Sequence, residues 1–247
     1  MRKEFIEHYQ GSLVDAVSIL QAQDIARECL LHMSGYLRPG LNREEIHEEC
    51  ERFMLEKGSQ GWWIHNDPAL ILFGDLSTYS AHEDPSPLFE NKLIFENDLI
   101  TIDVAPMINK GWGDLARSFI MEEGKIIPWQ SSKNEEIVKG MELELKLHEL
   151  FINSVKPGIT FAMLHEIITS ELNKAGYYNC DYHDNFGHTI ENDQSERVTI
   201  AKGVDIDIVA YDKPITFEPH ICKINGRLGI KHENMYFYHH GKMEEVI

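Results

Sequence analysis

Two aspartates eleven residues apart, Asp103 and Asp114, lie in the stretch LITIDVAPMINKGWGDLARSF between Leu99 and Phe119, and this stretch limits what the chain can fold into. Leu99, Ile100, Ile102 and Val104 make a short, β-branched apolar run of the kind that forms a buried strand, with Asp103 inside it. The run stops at Pro106. Asn109 and Gly111 supply turn chemistry, and a second strand around Ala116 to Ile120 would return Asp114 beside Asp103. The pattern predicts a hairpin carrying two inward acids. An isolated ionised carboxylate in an apolar interior is so costly that such groups are paired, protonated or metal-bound. From this stretch alone, two ordinary loop aspartates remain an equal reading.

The surrounding chain of 247 residues has no Pro-, Gly- or Ser-rich linker, so one α+β domain over residues 1–247 is expected. Its formal net charge of −18 argues against a phosphate-backbone binder and against an anionic membrane surface, while favouring cations. The first twenty residues, MRKEFIEHYQGSLVDAVSIL, contain no apolar core long enough for a signal peptide, and a cytoplasmic protein is expected. Cys29, Cys50, Cys180 and Cys222 form no CxxC pair and read as reduced, mostly buried thiols.

The chain repeats itself. Helical spacing runs from about Ser18 to Tyr36 before Pro39-Gly40, and Asn42 can cap a second helix ending at Gly58. The pattern recurs with a helix from Met141 to Val155, Pro157-Gly158, a cap at Thr160 and an end at Gly176; the Pro-Gly pair and the terminal glycine each fall 118 residues on. At that offset His47-Glu48 falls on His165-Glu166, Ile46 on Leu164 and Met54 on Leu172. We therefore expect two similar halves, about 1–125 and 130–247, related by a pseudo-twofold axis. The second half should then offer acids near 221 and 232, and the chain has Glu218 in KPITFEPHI and Glu233 in GIKHENMYFY. Between them and the last long helix, DYHDNFGHTIE supplies Gly187 and His188. Four carboxylates and one imidazole suit two divalent cations of the Mn, Fe, Co or Zn kind, whose four positive charges offset the acids.

Asp103 in IDVAP, Asp114 in GDLARSF, His188 in GHTIE, Glu218 in FEPH and Glu233 in GIKHEN resemble, in order and spacing, the five metal ligands of the pita-bread metallopeptidases. That group includes methionine aminopeptidase, aminopeptidase P, prolidase and creatinase. FEPH and GIKHEN are closest to the wording of aminopeptidase P and prolidase, and only their catalytic half is resembled. The resemblance implies a pita-bread α+β fold with a curved central antiparallel sheet, and a dinuclear hydrolase acting on a small peptide or amide, with a homodimer possible. By the same resemblance His82, in TYSAHEDPSP, contacts substrate and helps stabilise the tetrahedral intermediate, and Glu218 moves the proton.

One departure stands out. These peptidases carry a second histidine seven residues after the ligand His188, where this chain has Ser195. A serine lacks the charge-assisted hydrogen bond a histidine gives a developing oxyanion, so a creatinase-like or lyase activity on a small molecule is the alternative, and a non-catalytic binding module a lesser one. His220 could line the site in compensation, His183 reads as a loop residue, and Trp63 as a wall of the pocket or part of the core. His165-Glu166-Ile167-Ile168 begins like a zinc motif but lacks the second histidine and reads as an exposed helix face; His239-His240 reads as a solvated terminal pair.

Overall fold

The computed structural model of the chain describes residues 2–9, 13–63, 67–80 and 92–246. Its first half opens with helices α1 (Arg2–His8), α2 (Leu13–Tyr36) and α3 (Arg43–Glu56). Asn42 and Glu45 form a reciprocal capping box at the start of α3, with each side chain 2.9 Å from the other's backbone nitrogen. Strands β1 (Ala69–Phe73), β2 (Asp98–Val104), β5 (Leu115–Glu122) and β6 (Lys125–Ile127) then form one antiparallel sheet in the order β1-β2-β5-β6.

The predicted hairpin is present, with Asp103 opposite Ala116 in the β2–β5 pair. Its turn extends into a small ribbon, β3 (Met107–Ile108) and β4 (Gly111–Trp112), closed by Asn109 in the left-handed region (φ 52°). The hairpin lies directly on α2: a Cβ at Gly113 would fall 2.5 Å from the Ala22 backbone, so only glycine permits this approach. Gln23 of α2 completes the seating, its amide oxygen accepting from Asp114 N (2.9 Å) and its amide nitrogen donating to Asp114 O (3.1 Å).

The second half repeats the helix pair as α4 (Glu135–Ser154) and α5 (Phe161–Ala175). Thr160 caps α5 through Met163 N, at the same offset as Asn42 in the first half. α4 starts six residues before the predicted Met141, because Asn134 caps it and Ile137 continues the buried stripe of Met141, Leu147 and Phe151. Strand β7 (Tyr177–Asn179), short helix α6 (Ile208–Tyr211), then β8 (Ile215–Phe217), β9 (His220–Lys223), β10 (Gly229–Lys231), β11 (Asn234–His239) and β12 (Lys242–Glu245) follow. They form two three-stranded sheets, β10-β9-β7 and β12-β11-β8. The halves meet where Glu233 N donates to Ala116 O (3.1 Å) and Arg117 bridges His232, joining β5 to the start of β11.

Each half has its own apolar core, one around Met33, Ile46, Ile71 and Ile102, the other around Leu147, Phe151, Phe161 and Phe217, while α1 packs on β11 through Phe5 and Phe237. Two sequence expectations are corrected. His165 is not on an exposed face: it is buried against Phe186 (ring centroids 5.1 Å) with Nε2 3.0 Å from Asp184, and only Glu166 faces solvent. His239 is likewise buried rather than solvated, because β11 carries it inward beneath α1. No described helix is long and apolar enough to cross a membrane.

Candidate metal centre

Strand ends from both halves converge on one buried cluster. Asp103 sits near the end of β2, Asp114 just before β5, Glu218 just after β8, and Glu233 between β10 and β11; their residues are between 0% and 6% exposed. His188 reaches the cluster from the segment after α5. Gly187 makes this possible, since its φ of 146° and the Thr216 carbonyl, 2.0 Å from where a Cβ would lie, exclude a side chain. His188 Nδ1 donates to Thr189 O (3.1 Å), which leaves the Nε2 lone pair facing Glu218 Oε1 (3.4 Å) and Asp114 Oδ2 (3.6 Å). Candidate ligand atoms of Asp103, Glu218 and Glu233 all lie within 4.8 Å of one another.

A cation from the chain itself enters this cluster. The Lys231 ammonium donates to Asp103 Oδ2 (2.6 Å) and Glu218 Oε2 (2.7 Å) and lies 4.0 Å from Glu233 Oε2. Burial would lower the Lys231 pKa, but Asp103, Glu218 and Glu233 outweigh it and hold it well above the usual value. Burial would raise Glu218, and Lys231 followed by His188 reverses this, bringing it to about 2. Burial raises Asp103 despite Lys231, and burial with the neighbouring acids pushes Asp114 and Glu233 well up. His188 is lowered to about 4 by burial, so its imidazole is neutral and able to ligate.

One lysine does not satisfy this many acids. Asp103 Oδ1, Asp114 Oδ2 and both Glu233 oxygens are buried with no hydrogen-bond partner. Unpartnered buried carboxylate oxygens beside a neutral imidazole form the donor set that oxygen-preferring and borderline divalent ions take, so the residues fit metal.

Around the cluster, the Trp63 ring lies 4.6 Å from the His188 ring, and the Arg197 guanidinium lies 5.8 Å over Trp63. Trp63 is only 4% exposed and packs on the His188 ring. Ser195 is exposed, with Oγ donating to Asp193 Oδ1 (2.7 Å). His220 is buried, donates from Nε2 to Ser77 O (2.7 Å) and is lowered to about 4 by burial and then Lys231. His183 is on an exposed turn, and His82 lies outside the described residues. A cavity of about 950 Å³ lined by Phe73, Asp98, Asn134 and Arg227 lies apart from the centre and contains none of its carboxylates.

Sequence reading missed Lys231 and Arg197. For Lys231 a signal existed: it is two residues before Glu233 and ends an apolar strand, so period-two alternation puts both on one face. Arg197 had none, because its approach to Trp63 depends on a loop.

Comparison with known proteins gives a consistent placement. The chain aligns with an uncharacterised peptidase of Staphylococcus epidermidis at 21% identity, covering 89% of this chain and 62% of that one. A methionine aminopeptidase of Buchnera aphidicola matches at 24% identity over 58% of this chain and 51% of its own. Among solved structures, an X-Pro aminopeptidase from Thermotoga maritima superposes with a TM-score of 0.78 at 19% identity, covering 100% of this chain and 64% of that one. A prolidase from Pyrococcus furiosus superposes at 0.75 with 20% identity, over 99% and 66%. The chain thus spans about half to two thirds of the length of these relatives, and at such identities the structural likeness is one of fold, the pita-bread α+β arrangement. The family profile itself matches residues 18–239, the whole span that carries the five converging donors, and the chain belongs to metallopeptidase family M24.

Proposed function

We propose that this protein is a divalent-metal-dependent hydrolase that cleaves an amide bond next to a free N-terminus, of the X-Pro aminopeptidase or prolidase type. The observation that carries the reading is the set of unpartnered carboxylate oxygens buried with the His188 imidazole. Asp103, Asp114, His188, Glu218 and Glu233 would hold two ions. When bound, such ions polarise a carbonyl and lower the pKa of water towards neutrality.

The chain's own groups divide the remaining work. Glu218 is kept ionised by Lys231, so it is the carboxylate able to take a proton from water and return it to the leaving nitrogen. Trp63 fixes His188 and excludes water from one side. Arg197 takes over the positive charge that Ser195 lacks: its field already reaches Asp114, Glu218 and His188, and its guanidinium can donate to an anionic oxygen. His82 and His220 remain candidate substrate contacts. The reading carries a small peptide or amide substrate, no nucleic-acid or membrane partner, a cytoplasmic setting and a possible homodimer.

Ser195 supports a second reading, a creatinase-like or lyase reaction on a small molecule, since its hydroxyl is turned to Asp193 on the surface. Metal-loaded protein incubated with a mixed peptide library, with Asp103→Asn as the blank, separates the two by mass spectrometry. Release of N-terminal residues by the unmodified protein alone supports the peptidase, and enrichment before proline supports its X-Pro type. No release from protein shown to hold its metals overturns the peptidase reading.

A further inference from the structure

A second cluster of metal-ligating side chains lies outside the centre already described, where α1 crosses the β11–β12 turn. His8 ends α1, His239 ends β11, and His240 opens the two-residue turn before β12. One ring nitrogen of each lies within 4.8 Å of the other two, and the ring centroids are 4.3 Å (His8–His240), 5.0 Å (His239–His240) and 5.8 Å (His8–His239) apart. The elements are brought together independently of these rings, because Phe5 of α1 packs edge-on against Phe237 of β11 at 5.1 Å.

The tautomers are set by acceptors. His239 Nε2 is 2.6 Å from Glu244 Oε2, and a carboxylate only accepts, so Nε2 carries the proton. That leaves the Nδ1 lone pair of a residue 93% buried, and this atom has no hydrogen-bond partner. His8 Nδ1 is 2.8 Å from Glu4 O, a carbonyl that again can only accept, which frees His8 Nε2. A carboxylate orienting a ligating imidazole is the usual outer support of a zinc-bound histidine.

We infer that His8, His239 and His240 form a second metal site, a three-imidazole site for a borderline divalent ion of the zinc class, with Glu244 orienting His239. The buried centre offers mostly carboxylate oxygens, whereas this one offers only nitrogens, so this site favours zinc over manganese more strongly than the buried centre does. Zinc–nitrogen bonds of about 2.0–2.1 Å require closer donors than the apo spacing, and His8 and His240, both exposed, have the freedom to swing onto the fixed His239. An ion there ties the first helix to the last hairpin.

The test isolates the site with Asp103→Asn/Asp114→Asn, which disables the buried centre, and titrates that protein calorimetrically with zinc. One bound zinc is expected, and adding His8→Ala should weaken it at least tenfold and abolish the rise in melting temperature that zinc produces. Unchanged zinc affinity after His8→Ala overturns the site, as does absence of zinc binding in the first variant. Should that variant fail to fold, the unmodified chain serves: zinc retained after gel filtration must fall by one ion per chain in His8→Ala/His240→Ala, and an equal zinc content overturns the proposal.

Discussion

The two halves share a helix pair at a fixed offset, yet beyond the two acids that each buries they enclose different groups. In the first half the hairpin is seated by a satisfied neutral group, Gln23 on both backbone atoms of Asp114. The second half buries Lys231, the unpartnered Glu144 carboxylate, and His148, His188 and His220, with His232 half-buried beside His148. His148 and His188 are lowered to about 4 and His232 to about 2, each primarily by burial. Glu144 lies 118 residues after Ala26, which occupies the matching place in the first half as a fully buried methyl group. Each half therefore provides two acids to the centre, Asp103 and Asp114 from the first and Glu218 and Glu233 from the second, while among the described residues Lys231 and the buried imidazoles come from the second half alone.

Lys231 gives the most forceful way to break that asymmetry. Removing one partner of a buried ion pair costs about 3–5 kcal/mol, because the remaining charges stay buried. Lys231→Met should lower the melting temperature of metal-free protein by on the order of 10 °C, given about 2–4 °C per kcal/mol at this size. Manganese or zinc should recover much of the loss by replacing the missing positive charge. An equal loss with and without metal, by calorimetry, would show that Lys231 supports packing and not the acids.

Asp114→Asn probes the first half's share. Metal affinity should fall by more than the 10–100-fold that loss of an outer partner costs, and turnover should fall with it. The metal-free variant should be at least as stable as the parent at pH 7, since the native Asp114 carboxyl is held well above its ordinary pKa and gains nothing by being ionised. Loss of stability without loss of metal would transfer Asp114 from the centre to the hairpin.

Arg197→Ala is a smaller step. About a tenfold fall in turnover is expected, rescued in part by Arg197→Lys, while Ser195→Ala changes little because its hydroxyl faces Asp193. Equal effects of both alanine variants would return the missing charge to the Ser195 loop.

The sequence carried those parts of the site that local pattern controls. A short apolar, β-branched run marked Asp103 as a strand acid, and the helix repeat led to Glu218 and Glu233, each within a few residues of its expected place. What escaped it depends on tertiary closure. His165 and His239 looked exposed because a polar residue gives no sign in the sequence of what will be packed over it. In the structure Phe186 covers one and α1 the other. Glu144 escaped for the same reason, since a glutamate in a helix reads as a solvated position until the strands beneath it are known.

Glu144 offers the finest test of the comparison. It is fully buried on α4, neither oxygen has a partner, and burial pushes its carboxyl well above the ordinary value, with Lys231 opposing only in part. The folded protein therefore holds a proton there that the unfolded chain releases above about pH 4.5, so Glu144 costs stability increasingly as pH rises from that point towards the folded pKa. Glu144→Gln keeps the shape and removes the proton requirement. It should raise the melting temperature of the metal-free protein by a few degrees at pH 8, where each unit of pKa elevation is worth about 1.4 kcal/mol, and by less at pH 5. A gain that is the same at both pH values would mean the carboxyl is ionised in the fold, and the second half would then be balancing one more negative charge against Lys231.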